Sequence, residues 1–394
     1  MHQIRHVATT VLAAPLLVAV LAVGAPAHAA DRYTTATRVV AAVAPLSVDA
    51  AVDADGFLHI AYLDDHEPKG LTYATDRGGW HKVLVRADVG FEAQPSIALD
   101  ADGYAFIAYA RIECPDEVGG ICDDPEDEPI SRIHVATNRT GAWTSRVRSA
   151  GLADLWPSLA FSGGHLHIAF KRQLWPPGHV DSGVWYLTND GGWHESQVAS
   201  GRWRCFRDQI PSIAVSAGGR VWIAYEAARK PSDGCGGTAG IRVAERLGDG
   251  AWHRETLTTD RDDVQPVLAL DAARRPGLVF DRSGEGVRFT RRLGGDWTAL
   301  RNVSSGGEAD LVFDAASRAH VAVESHGIQV AVWSGSGFAR TQVYSGPVDY
   351  GTYGGPAIVL APDSGLARIV FGRSESDDTP VEDELGVYLV KERP

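Results

Sequence analysis

The sequence predicts an all-β fold, a seven-bladed β-propeller built from four-stranded antiparallel blades, and three observations predict it. A strand-turn-strand unit recurs along the chain at intervals of 47, 62, 54, 55, 43 and 47 residues. Each copy reads as four short apolar strands punctuated by turn residues, which is the period and content of a propeller blade. Seven inner hairpins are followed by only six complete outer ones, and the N-terminus carries a spare strand that evens the count.

The most regular copy is Pro95-Ser-Ile-Ala-Leu-Asp-Ala-Asp-Gly-Tyr-Ala-Phe-Ile-Ala-Tyr109, two apolar strands folded around an Asp-Ala-Asp-Gly turn. First strands begin at Val48, Pro95, Pro157, Pro211, Pro266, Ala309 and Pro356. Second strands end at Tyr62, Tyr109, Phe170, Tyr225, Phe280, Val323 and Phe371. Third strands resemble Leu71-Thr-Tyr-Ala-Thr75, and fourth strands are opened by Trp80, Trp143, Trp193, Trp252, Trp297 and Phe338. After the seventh third-strand candidate, Gly386-Val-Tyr-Leu-Val390, the sequence stops at Pro394. Tyr33-Thr-Thr-Ala-Thr-Arg-Val39 has the fourth-strand pattern, so it is expected to complete blade seven and close the ring without an exposed mismatch. Aromatic residues that return at one position in nearly every copy point to packing, and so do His59, His167 and His320, which share one register in the second strand.

Ahead of the repeat lie a basic residue, Arg5, an apolar run from Val11 to Val23 and the small-x-small stretch Ala27-His28-Ala29. This is the pattern of a secretory signal peptide cleaved near Ala29, leaving one propeller domain over residues 30–394. The apolar run is short for a membrane span and no later stretch is longer, so stable membrane insertion is not expected. With 37 basic against 50 acidic residues, the chain lacks the basic surface that nucleic acid calls for. Its Ala-, Arg- and Gly-rich, Lys-poor usage suits a GC-rich bacterial genome. Four cysteines in a secreted chain favour two disulfides, Cys114 with Cys122 and Cys205 with Cys235, and none has the spacing of a zinc site. A monomer is expected, with no cofactor.

Function is expected where the copies disagree. The first-to-second and third-to-fourth strand turns are uniformly short, whereas the connections on the opposite face vary, and variable loops on a rigid scaffold carry binding. Both expected disulfides belong to that face. Its loops in blades seven, one and two are acidic: Glu375 to Glu384, Asp64-Asp-His-Glu67 and Cys122-Asp-Asp-Pro-Glu-Asp-Glu128. These offer oxygen ligands of the kind Ca²⁺ takes, but without EF-hand spacing, and a solvated acidic rim accounts for them better. Blades three and four carry the opposite sign, with Lys171, Arg172, Trp175, Arg202, Trp203, Arg204, Arg207 and Arg229. Arginine supplies planar donor pairs for carboxylate or sulfate and Trp an apolar plate for a sugar ring, although pairing with the acidic loops explains the arginines as well. The residue after the second-strand aromatic is Lys171, Glu226, Asp281 and Glu324 in blades three to six, placing four charges near the mouth. With Tyr350, Tyr353 and His179 they are the candidates for acid–base chemistry, either β-elimination beside an Arg-neutralised uronate or glycoside hydrolysis by paired carboxylates.

The turns Thr75-Asp-Arg-Gly-Gly-Trp80 and Thr188-Asn-Asp-Gly-Gly-Trp193 look like degenerate Asp-box turns. With the Pro-Ser-(Ile/Leu)-Ala openings and His-Ile-Ala-(Tyr/Phe) strands, the chain resembles secreted bacterial BNR-repeat, sialidase-like propellers over nearly all of residues 31–394. The resemblance implies the fold; propellers of this kind serve as hydrolases, lyases, lectins and scaffolds alike. The sialidase arginine triad, Tyr/Glu pair and acidic acid/base have no matching motif here, and Phe206-Arg-Asp-Gln-Ile-Pro211 departs from the Phe/Tyr-Arg-Ile-Pro start by two residues and by position. The first expectation is therefore a propeller that binds an acidic or sulfated extracellular polysaccharide. A polysaccharide lyase or sialidase-like glycoside hydrolase on the same face is the alternative, and a protein-interaction scaffold comes third.

Overall fold

Alternating and continuous apolar runs of four to nine residues form strands throughout, each ended by a Gly- or Asp-containing turn. The structure, a computed structural model, describes residues 32–41, 45–64, 69–87, 94–113, 130–173, 182–200, 210–227, 239–346, 348, 355–373 and 385–394. Seven antiparallel sheets result. Blade one holds Pro45–Val52, Leu58–Asp64, Gly70–Thr75 and His81–Ala87; blade two holds Ser96–Leu99, Ala105–Glu113, Ile130–Thr137 and Thr144–Val147. Blade three holds Asp154–Ser162, His165–Arg172, Gly183–Thr188 and His194–Ser200, and blade four Ser212–Val215, Val221–Ala227, Gly240–Arg246 and Trp252–Thr256. In blade five, Asp263–Leu270, Pro276–Arg282 and Gly286–Leu293 are followed by an outer edge split into Asp296–Trp297 and Arg301–Ser304. Blade six holds Ala309–Phe313, Ala319–Glu324, Ile328–Trp333 and Phe338–Tyr344. Blade seven joins Ala357–Leu360, Ala367–Arg373 and Gly386–Lys391 to the N-terminal strand Thr37–Ala41.

The ring closes as the repeat count requires: Thr37–Ala41 pairs antiparallel with Gly386–Lys391. The paired segment starts later than the pattern suggests, because Tyr33 forms only an isolated bridge with Glu392 and buries its ring instead. The innermost strand of each blade touches that of the next, all the way round. The core is correspondingly divided into seven clusters, each lying between two neighbouring blades. Second-strand aromatics Tyr62, Tyr109, Phe170, Phe280 and Phe371 are buried in these interfaces, each contributing about 1.5–3 kcal/mol of transfer free energy. The Trp residues opening the outer strands pack against the same clusters, as their regular placement implies.

Polar residues of the repeat build turns and clasps. Asp100 Oδ1 accepts the N–H groups of Asp102 (3.1 Å) and Tyr104 (2.9 Å), which locks the turn of the Asp-Ala-Asp-Gly hairpin. The Asp-box-like turns reach back to their own blade: Leu58, Ala105 and Leu166 donate to Asp76 (2.7 Å), Asn138 (2.9 Å) and Asn189 (2.7 Å). The serine of the Pro-Ser opening reaches forward, so that Leu159, Ile213 and Leu268 donate to Ser96, Ser158 and Ser212 of the preceding blade. At the same register Asp49 accepts from Ile97 and Asp310 from Ile358, each at 2.8 Å. His59 is buried between Asp53 and Tyr73, His167 bonds Tyr186, and His320 bonds Asp314, in line with structural roles.

Candidate functional site

The inner strands of blades one, three and five each carry a bulge just before the repeat register begins. Ser47, Trp156 and Gln265 occupy these bulges with φ of 52°, 53° and 51°, and Gln94 of blade two takes φ of 33° at the same place. Left-handed backbone is uncommon for side chains this large, and bulges of this kind re-aim residues at sheet rims. The bulges stand at the end of the ring where second strands finish, on the face of the variable connections.

There two of the four predicted charges, Lys171 and Glu226, meet bulge residues. The Lys171 ammonium lies 4.2 Å from the centre of the Trp156 ring, a cation held against an aromatic face in a buried setting. One blade on, Glu226 accepts the backbone N–H of Gln265, so the carboxylate of blade four pins the bulge of blade five. The Gln265 amide donates in turn to Glu308 at 3.0 Å, and Glu324 donates its backbone N–H to the Glu308 carbonyl at 2.9 Å. Hydrogen bonds thus connect Glu226, Gln265, Glu308 and Glu324 over blades four, five and six, the last step through backbone groups, and the Lys171–Trp156 pair stands at the same end of blade three. Asp281 shares the register of Lys171, Glu226 and Glu324 but remains half-buried. Burial raises its carboxyl pKa above the usual range, and the nearby Asp263 carboxylate adds to the effect.

Arg172 is differently placed. Its Nε and Nη2 meet the two Asp154 oxygens at 2.6 and 3.0 Å, Nη2 also reaches Glu195 at 2.9 Å, and the guanidinium lies 4.2 Å over the Trp185 ring. Gly151 makes room for this pair, since a Cβ there would collide with Arg172 Nε and the Asp154 carboxylate. Blade five repeats the arrangement with Arg282 and Asp263 at 2.6 and 3.0 Å. Among the described residues, no group of three or more His, Cys, Asp or Glu side chains is placed to hold a metal ion.

No protein-family model matches the chain, and no curated protein is similar to it in sequence. Solved structures are similar to it in fold. One is a polysaccharide lyase, a PL25 ulvan lyase, at 12% identity and a TM-score of 0.53, covering 91% of this chain and 94% of the lyase. Another is the GH93 α-L-arabinofuranosidase of Fusarium graminearum in complex with arabinobiose, at 12% identity and a TM-score of 0.54, covering 92% and 98%. The SapL1 lectin in complex with α-methyl fucoside is similar at 11% identity and a TM-score of 0.50, covering 79% of this chain and all of the lectin.

The structure places Lys171, Glu226, Asp281 and Glu324 at one register, near the ends of the second strands of blades three to six, and engages Arg172 in an ion pair. Trp175, His179, Arg202, Trp203, Arg204, Arg207, Arg229, Tyr350 and Tyr353 lie outside the described residues, as do Cys114, Cys122, Cys205 and Cys235, the N-terminal 31 residues and nearly all of the acidic loops. Trp156, Gln265 and Glu308 were not singled out from sequence. For the first two a signal existed: both immediately precede a proline that opens an inner strand.

Proposed function

We propose that the protein is a carbohydrate-binding propeller that takes an acidic or sulfated polysaccharide at the mouth of the ring, and that its N-terminal segment directs it out of the cell. The observation carrying this reading is the Lys171–Trp156 pair. It sets a cation of the kind that pairs carboxylate or sulfate against an aromatic ring, both largely buried, at the end of the ring where the second strands finish. Solved structures sharing the fold lend support: a PL25 ulvan lyase was solved bound to -[GlcA(1-4)Rha3S]-, a sulfated uronate polymer fragment, and others hold arabinobiose or a methyl fucoside. Calorimetric titration with ulvan, chondroitin sulfate, alginate and neutral dextran tests the reading. Wild type should bind the charged polymers, and Lys171→Met should weaken that binding at least tenfold while leaving the fold intact. Equal binding by wild type and variant would remove the assignment.

Asp281 favours a second reading, glycoside hydrolysis at the same mouth. A carboxyl whose pKa is raised by burial binds a proton more tightly than a free one, the direction an acid for the leaving glycosidic oxygen needs, while a carboxylate at the same register, Glu226 or Glu324, would take a proton from the attacking water. On this reading, wild type releases reducing ends from a polymer it binds. Asp281→Asn then lowers the rate by at least about 100-fold with binding unchanged. Absence of new reducing ends from every bound polymer would leave binding as the function.

A further inference from the structure

On the opposite face, between the outermost strand of blade one and the turns of blade two, runs a groove of about 700 Å³. The register of the seven outer strands against the third strands isolates one anomaly there. The residues facing Val135, Tyr186, Val243, Phe289, Val330 and Leu389 are Arg146, Ser196, Glu255, Arg301, Thr341 and Thr37, all polar or charged. The residue facing Tyr73 is Val83, apolar and yet 40% exposed. Across the groove, Tyr104 stands just after the blade-two hairpin turn and is 39% exposed. Its counterpart in blade one, Phe57, is covered by the Arg77 guanidinium at 4.7 Å. Trp143 completes the wall, tilted against Tyr73 at 4.9 Å. Two aromatic rings and an uncovered valine therefore line a recess of the size that small ligands occupy.

The polar groups at its edge are hydrogen-bonding and net acidic, one arginine standing among three aspartates, Asp53, Asp55 and Asp102. Arg77 is half exposed and its charge is answered by Asp53 at 2.5 Å and Asp55 at 3.1 Å. Gly103, at φ of 80°, brings the blade-two turn within 3.3 Å of Arg77 Nη2, measured from the position of an added Cβ, so the ion pair forms part of the groove wall. Arg77 retains N–H donors beyond those two contacts, and Asp102 adds an acceptor. Apolar plates flanked by guanidinium donors and carboxylate acceptors, acidic in sum, match an amphipathic, hydroxylated ring better than an anion or a hydrocarbon.

We propose that this groove is a second carbohydrate site, for a neutral pyranose that lays its apolar face on Tyr104, Trp143 and Val83 and hydrogen-bonds Arg77 and Asp102 through its hydroxyls. It is independent of the mouth, so the protein grips a glycan at two ends of the ring. The test titrates the full chain with methyl β-D-galactopyranoside, methyl α-L-rhamnopyranoside, methyl β-D-glucopyranoside and methyl β-D-glucuronide, read by saturation-transfer NMR and calorimetry. At least one neutral glycoside should bind, more tightly than the glucuronide. Val83→Arg, which installs the residue blade two itself uses at this register, and Tyr104→Ser should each weaken binding at least tenfold. Both replace exposed side chains, and an unchanged thermal midpoint will show that the fold persists. Lys171→Met should leave this binding untouched, and the two groove variants should leave polymer binding at the mouth untouched, which separates failure of one site from failure of the other. The proposal is overturned if no neutral glycoside binds wild type, if both groove variants bind as wild type does, or if Lys171→Met abolishes the signal.

Discussion

Replacing Asp154 by alanine should cost about 3–5 kcal/mol of folding stability, the range for stripping one partner from a buried ion pair. Asp154 is fully buried and the Arg172 side chain is only 7% exposed, so solvent screens little of the loss. Burial alone would lower the Arg172 pKa, but the hydrogen bonds and charge of Asp154 outweigh it and keep the guanidinium protonated. The same burial raises the Asp154 carboxyl above its usual range even against Arg172, so the pair is costly to hold in the protein interior and costlier to break. Glu195 offers the orphaned arginine partial relief at 2.9 Å, which places the expected loss toward the lower end of the range. Urea unfolding gives the number. The double variant Asp154→Leu with Arg172→Met should recover much of the loss, because no uncompensated charge is left behind. A loss under about 1 kcal/mol for Asp154→Ala would mean that the pair is not desolvated as described.

This pair also marks the limit of what the chain discloses as a string. The seven-blade count, the closing N-terminal strand and the shared register of positions 171, 226, 281 and 324 were legible, because each is a fixed offset within a repeat and strand geometry preserves offsets. Arg172 looked like a ligand-binding group because its partners lie 18 and 23 residues away, on two other strands of the same blade. Trp156 and Gln265 reach the mouth only through a bulge, and a one-residue slip in register leaves no mark on the hydrophobic pattern beyond the following proline. Val83 is a different case. An apolar residue on an outer strand is unremarkable until the pairing register shows that every other blade has a polar one there.

The Pro-Ser opening shows the same gap between pattern and purpose, and it leads to the second large effect. Three of its serines clasp the next blade through a backbone N–H, and in blades one and six Asp49 and Asp310 do the same work with a carboxylate. Both retain some water-accessible area although protein surrounds them, and that surrounding protein governs their ionisation. Burial pushes the Asp310 carboxyl up to about 7, with the charge of Asp49 adding to it against the opposing hydrogen bond from Ile358. The folded protein therefore keeps this proton at pH values where the unfolded chain has released it. Stability from Asp310 is full below about pH 4, declines as pH rises to about 7 and is flat beyond. Asp310→Ser restores the clasp used by three other blades without a titrating group. Relative to wild type it should gain roughly 2–3 kcal/mol between pH 5 and pH 8, since each tenfold difference in proton affinity between the folded and unfolded chain is worth about 1.4 kcal/mol. Urea unfolding of both proteins at the two pH values measures the difference, and parallel loss of stability in both would refute the assignment. Asp49→Ser provides the sharper control. Removing the neighbouring charge should draw the Asp310 pKa downward and shrink the pH-dependent gain of Asp310→Ser in that background, a coupling that two independent carboxyls would not produce.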